Sequence, residues 1–146
     1  GLIQPMYIHS DMGIADDRVG DRMKTSYCYN TMRKMGIRLA AGSDLPIESP
    51  KVMEAIQVNV TRKNLSGWPE GGWYPEEAFD VLDAVKLHTV NGAYVSKDEN
   101  KYGSIEVGKQ ANFVLLSGDV FEVEKDKIKD IEILETYIDG ESVYKK

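Results

Sequence analysis

The sequence predicts an α/β fold, and three observations carry that reading. Hydrophobic residues are 42% of the 146 residues and charged residues 29%, enough apolar material for a core and too much for a disordered chain. Residues 1–100 read strand, helix, strand, helix, helix, an alternation that favours a parallel sheet. Residues 101–146 change grammar and read as an antiparallel β module. Two segments are therefore expected, 1–100 and 101–146.

Ile3 to Ile8 is an apolar run broken by Pro5, too short for a helix, and the proline marks it as a strand end. Asp11 to Gly20 is rich in Asp and Gly and reads as a loop. From Asp21 a helical pattern runs to Met35. Tyr27, Thr31 or Met32, and Met35 recur at helical spacing, and Gly36 sits where a C′ residue belongs. Cys28 then falls in mid-helix, where a small buried hydrophobe is the ordinary role. Ile37 to Ala41 forms a small apolar strand that stops at Gly42-Ser43-Asp44. Pro50 suits the N1 position of the next helix, whose apolar face is Val52, Met53, Ile56 and Val60.

Asn64 to Tyr74 holds Gly67, Pro69, Gly71 and Gly72 and reads as a long loop, a class of segment that is often functional. Its Trp68 and Trp73 suit a substrate lid or an interface equally well. Pro75-Glu76-Glu77 opens a third helix, acidic in its first turn, that buries Phe79, Leu82, Val85 and Leu87. His88 to Tyr94 continues that helix or begins a second short one. Gly103-Ser104 and Gly108-Lys109 are turn pairs around Ile105-Glu106-Val107, and Asn112 to Leu116 is an almost continuous β run. Ile131 to Ile138 and Ser142 to Tyr144 flank Asp139-Gly140, a two-residue hairpin signal because both turn positions need φ > 0. Glu124 to Asp130 is charged and reads as a surface connection.

Composition excludes several function classes. A net charge of −6 and a pI near 5.0 argue against a nucleic-acid surface, which needs clustered Lys and Arg. One cysteine forms no internal disulfide, and His9, Cys28 and His88 cannot by themselves build a zinc site. No stretch approaches the ~18 consecutive apolar residues of a membrane helix. The chain is thus expected to be soluble and cytoplasmic, with no nucleic-acid or membrane partner. It begins with Gly1 rather than methionine, so Gly1 is expected to be a processing or cloning remnant and not the natural start.

The first chemical signal is Asp44. It follows a short strand and precedes Pro46, so its carboxylate is expected at the C-terminal edge where α/β active sites are built, although an Asx turn or helix cap is the ordinary role for such a residue. His9, in Tyr7-Ile8-His9-Ser10-Asp11, also lies at a strand exit, where it could bind metal or move protons; a surface histidine is the plainer reading. His88 reads as a packed or capping residue. The run Gly103 to Lys109 lacks the spacing of a phosphate-binding loop and reads as a turn.

These residues together resemble the C-terminal portion of the metal-dependent amidohydrolase superfamily, in the group that includes N-substituted formamide deformylase-like proteins. The resemblance is carried by Gln4-Pro5 with Asp11 downstream, Gly42-Ser43-Asp44-Leu45-Pro46, Val60-Thr61-Arg62, Thr89-Val90-Asn91-Gly92-Ala93, Gly103 to Asn112 and Thr136-Tyr137-Ile138-Asp139-Gly140, in that order. It implies a TIM (β/α)₈ barrel with a small β-sandwich. A complete barrel needs roughly 250 residues, so this chain would hold strands seven (near Ile3) and eight (Arg38 to Ala41) with their helices, plus the C-terminal part of the sandwich.

The same resemblance implies a divalent metal, zinc foremost, held in a longer parent by histidines and an acidic group from other barrel strands. Asp44 matches the strand-eight aspartate, which contacts the metal or its water and serves as general base and then general acid. Tyr7, His9 and Arg62 are the expected substrate-binding residues. Tyr7 stands where many relatives place a histidine, and Ala111-Asn112 stands where they carry Ala-Asp. The expected activity is hydrolysis of a non-peptide C–N bond in a small molecule by the parent. The fragment alone is expected to bind no metal and turn over nothing. Its uncovered strand edges and helix faces predict a homo-oligomer. A non-catalytic scaffold or binding domain derived from the same fold is the alternative.

Overall fold

Strands β1 (Leu2–Ile3) and β2 (Ala40–Ala41) pair in parallel, with Leu2 opposite Ala40 and Ile3 opposite Ala41, in the computed structural model, which describes residues 1–146. Parallel pairing demands a crossover, and residues 4–39 supply it as short helices: α1 (Met6–Asp11), α2 (Ala15–Val19), a 3₁₀ turn over Gly20–Thr25 and α3 (Tyr29–Lys34).

This crossover departs from the sequence reading in three places. The strand stops at Ile3, because Pro5, at φ −58°, begins a helix instead of ending a strand, and Met6, Ile8 and Met12 bury one face of it. His9 and Asp11 consequently lie on α1 and not at a strand exit. The stretch expected as loop from Asp11 to Gly20 contains α2. The helix expected from Asp21 to Met35 is broken at Ser26–Cys28, where Tyr27 takes φ 51°, so Cys28 caps α3 instead of lying in mid-helix. The cause is tertiary: Tyr27 donates its hydroxyl hydrogen to Asp11, and its carbonyl oxygen accepts from Arg62. The end of α3 is as expected. Gly36, at φ 85°, donates to the Arg33 carbonyl and Ile37 to that of Met32, the paired bonds of a Schellman cap.

After β2 comes α4 (Val52–Thr61), preceded by Lys51 as N-cap, with Pro50 just outside the helix rather than at N1. It is buried from Ala55 to Val60, polar Gln57 and Asn59 included, because other elements cover it on several sides. Gln57 Oε1 accepts the Lys129 main-chain N–H at 2.9 Å. Pro75–Glu77 forms only a 3₁₀ turn, and Asp80 caps the true helix α5 (Val81–His88) by accepting the Asp83 N–H at 2.7 Å. That start places Ala84 and Leu87 inward and leaves Leu82, expected in the core, 51% exposed. A separate α6 (Val90–Val95) follows.

The last third forms an antiparallel sheet in the order β3 (Phe113–Leu116), β4 (Ile133–Ile138), β5 (Glu141–Lys145). Asp139 and Gly140 sit at φ 53° and 83°, the left-handed pair that a tight hairpin requires. Ile105–Val107 forms no strand and both end residues project into solvent. The charged connection contains a 3₁₀ turn, Lys125–Asp130, whose Ile128 is fully buried.

Two apolar clusters hold the molecule together. One unites Ile3, Leu39, Ile56, Val60, Phe79 and Leu87 with Val120, Ile128 and Ile131 from the β-rich segment. The other packs Met6, Ile8, Met12 and Met23 against Ala55, Val58 and Trp73.

Candidate active site

Side-by-side parallel strands bring their C-terminal ends together, and that edge is where α/β folds build sites. Asp44 stands three residues beyond β2 and Tyr7 four residues beyond β1. Although 37 positions apart in sequence, they meet: the Tyr7 hydroxyl donates to Asp44 Oδ2 at 2.8 Å. Asp44 is exposed, sits at φ 58° and has no other side-chain hydrogen-bond partner. A non-glycine residue in the left-handed region is uncommon, and such strain concentrates at functional positions. Its main-chain oxygen accepts from Ile47 at 2.9 Å, closing the turn that includes the cis Leu45–Pro46 bond. The hydrogen bond to Asp44, first, and partial burial hold the Tyr7 phenol above its ordinary pKa, so Tyr7 is a donor at neutral pH.

Two further polar pairs flank this one. Ser10, also on α1, donates to Glu48, and Tyr27 donates to Asp11. Burial first, then Asp11, pushes the Tyr27 phenol up. Sequence reasoning missed Tyr27 because a helix-interior reading gives it no tertiary role; Ser10 and Glu48 carry no spacing signal at all.

The other two expected site residues are both bonded to the 64–74 loop. His9 is half-buried, and its Nδ1 accepts the Leu65 main-chain N–H at 3.3 Å, tying α1 to the 64–74 loop. Arg62 is 1% exposed and ends α4 at φ 55°. Its Nε donates to the Trp73 carbonyl at 2.9 Å and Nη1 to that of Tyr27 at 3.2 Å, with the guanidinium carbon 5.3 Å from the Trp73 ring centre. Nη2 is buried without a partner, and desolvation lowers the pKa of the group. Of the loop's tryptophans, Trp73 is buried and donates to Asp16 Oδ2 at 2.8 Å, whereas Trp68 is 53% exposed.

No three His, Cys, Asp or Glu side chains stand close enough together to hold a metal ion. Of the three carboxylates at the strand edge, Asp11 and Glu48 are half-buried and held by Tyr27 and Ser10, and Asp44 is the exposed one. It fits the part of one ligand, or of a group that contacts a bound water, and a complete site needs donors from outside these residues.

The amidohydrolase family model matches residues 2–144. The chain belongs to the amidohydrolase family. Among its amidohydrolase relatives, the Bacillus subtilis (strain 168) protein named "Putative amidohydrolase YtcJ" is 37% identical over 99% of this chain and 27% of its own length. The N-substituted formamide deformylase of Arthrobacter pascens is 30% identical over 80% of this chain and 21% of its own. The structure is similar to that of an uncharacterized metal-dependent hydrolase from Pyrococcus horikoshii OT3, with a TM-score of 0.71 and 28% identity over 85% of this chain and 25% of that one. This amidohydrolase chain therefore spans about a quarter of the length of the relatives it matches. None of its helices is long and apolar enough to cross a membrane.

Proposed function

We propose that these residues form strands seven and eight of a (β/α)₈ barrel, with the adjoining part of its β-sandwich, in a metal-dependent hydrolase of small-molecule C–N bonds other than peptide bonds. Asp44 is its general base and then its general acid. The observation that carries this reading is the position of Asp44 at the C-terminal edge of a parallel pair, exposed and with Tyr7 as its sole side-chain partner.

A divalent metal, zinc foremost, supplies carbonyl polarisation and a lowered water pKa when bound. Asp44 removes a proton from the attacking water and returns it to the departing nitrogen, so one carboxylate serves both half-steps. Tyr7 occupies Oδ2 and leaves Oδ1 open to the proton. His9 and Arg62 support substrate binding by fixing the 64–74 loop through Leu65 and Trp73.

The test is turnover of amide and formamide substrates, with metal content, in the longest natural form of the protein. Asp44→Asn is expected to lower kcat by at least ~10²-fold, the scale of a lost general acid–base group, while the protein still folds. Undiminished turnover in that variant refutes the assignment. The second reading, a scaffold that kept the fold and lost the chemistry, is favoured by Tyr7 standing where a histidine is usual. It predicts neither metal nor turnover in the long form.

A further inference from the structure

At the end of β2 opposite Asp44, a cavity of about 260 Å³ opens between α3, the residues leading into β2, and α5. Its charge is unlike that of the rest of the molecule. Arg33, Arg38 and Lys86 line it against one carboxylate, Asp83, a local excess of two positive charges in a chain of net charge −6. Arg33 Nη1 pairs with Asp83 Oδ2, and Lys86 Nζ lies 3.3 Å from Oδ1, so a single carboxylate is shared between two cations.

Arg38 has no carboxylate partner. Its guanidinium carbon lies 4.0 Å from the centre of the Tyr94 ring, a cation–π contact that holds the planar group in place while leaving its N–H edges free. A guanidinium presented in that way suits two-point binding of an oxyanion. Asn91 completes the polar lining, its amide oriented by donating to the Leu39 carbonyl at 2.8 Å.

We propose that this cavity binds a small, doubly charged oxyanion of the phosphate class, with Arg38 as the main anchor and Arg33 and Lys86 supplying the balancing charge. Arg33 and Lys86 are already oriented by Asp83, so the ligand does not have to order them. The site is independent of the chemistry assigned to Asp44. Its cations are partly exposed, so affinity falls as salt rises.

Titration of the full chain with inorganic phosphate, and separately with glycerol 3-phosphate, at constant ionic strength and followed by amide chemical shifts, tests the proposal. Saturable shifts are expected at residues 36–39 and 83–91. Arg38→Ala should weaken binding at least tenfold, since both charge-assisted hydrogen bonds of the two-point contact go with it, and Lys86→Gln should weaken it less. Lys51→Gln, the same change of charge on an exposed residue outside the cavity, should leave it unaltered. Tighter binding of the ester assigns a phosphorylated metabolite, and equal or weaker binding assigns free phosphate; both uphold the site. Shifts that do not saturate, or equal weakening by Lys51→Gln, overturn it.

Discussion

Replacing Arg62 by methionine separates a structural arginine from a substrate-facing one. Methionine keeps much of the length and apolar contact of the side chain and removes every donor. The Trp73 and Tyr27 carbonyls, now served at 2.9 and 3.2 Å, both lose their partner. Each unsatisfied carbonyl costs about 1–3 kcal/mol, and loss of the contact with Trp73 adds up to about 1 kcal/mol. Against this, the variant no longer buries a guanidinium whose Nη2 is unpartnered and whose charged form burial disfavours. Relief of that penalty returns roughly 1–3 kcal/mol, leaving a net destabilisation of about 2–3 kcal/mol at mid-range. With a slope of roughly 1–3 kcal/mol/M in urea, the unfolding midpoint should fall by about 1 M. Tryptophan fluorescence reads this directly, because Trp73 is buried beside the mutated group. Arg62→Lys keeps the charge but cannot span two carbonyls, so it should lie between wild type and Arg62→Met. A midpoint within about 0.2 M of wild type, an effect below roughly 0.5 kcal/mol, would refute the role of Arg62 in holding the loop.

Burial takes the His88 imidazole down to about 4. The unfolded chain therefore binds a proton that the native state refuses once the pH drops below about 6.5. Its contribution is complete above that value and is lost as pH falls toward 4, up to about 3 kcal/mol in all. His88→Leu should flatten the stability profile across that window, and an unchanged slope would refute the assignment. Asp16 is held below the usual carboxylate range by Tyr74, which donates at 2.6 Å, and then by Trp73. Asp16→Asn should loosen the 64–74 loop and speed tryptic cleavage after Lys63; an unaltered rate would show that other contacts fix it. At Gly103, φ 99°, an added Cβ would lie 2.7 Å from Ala93 Cβ and 3.2 Å from Val90 Cα, whereas at Gly108, φ 94°, it would meet open space. Both alanine variants carry about 1–3 kcal/mol of backbone strain, and Gly103→Ala adds about 1–3 kcal/mol of overpacking. Equal urea midpoints for the two would refute the close packing of Gly103 on α6.

What the sequence showed well were features decided within a few residues. Gly36 ends α3 because a left-handed C′ position selects glycine, and Asp139-Gly140 turns the β4–β5 hairpin for the same reason. What it hid were features decided by partners far along the chain. Nothing near Tyr27 signals that it takes φ 51°; its partners are Asp11, 16 residues earlier, and Arg62, 35 residues later. The surroundings of Arg62 were hidden in the same way. A match along one dimension places an arginine after a helix, but the left-handed φ of that helix end lies with a guanidinium in the interior, bonded to a loop 11 residues on. Asp44 belongs to both classes. Its exit from an apolar strand was legible locally, while the phenol that fixes its carboxylate was not, since that contact depends on the pairing of Ile3 with Ala41, which sets the chain entering α1 beside the chain leaving β2. The two residues most directly tied to the proposed chemistry are therefore joined by the smallest sheet in the molecule. A substitution that weakens β1 against β2 should disturb Asp44 without touching it.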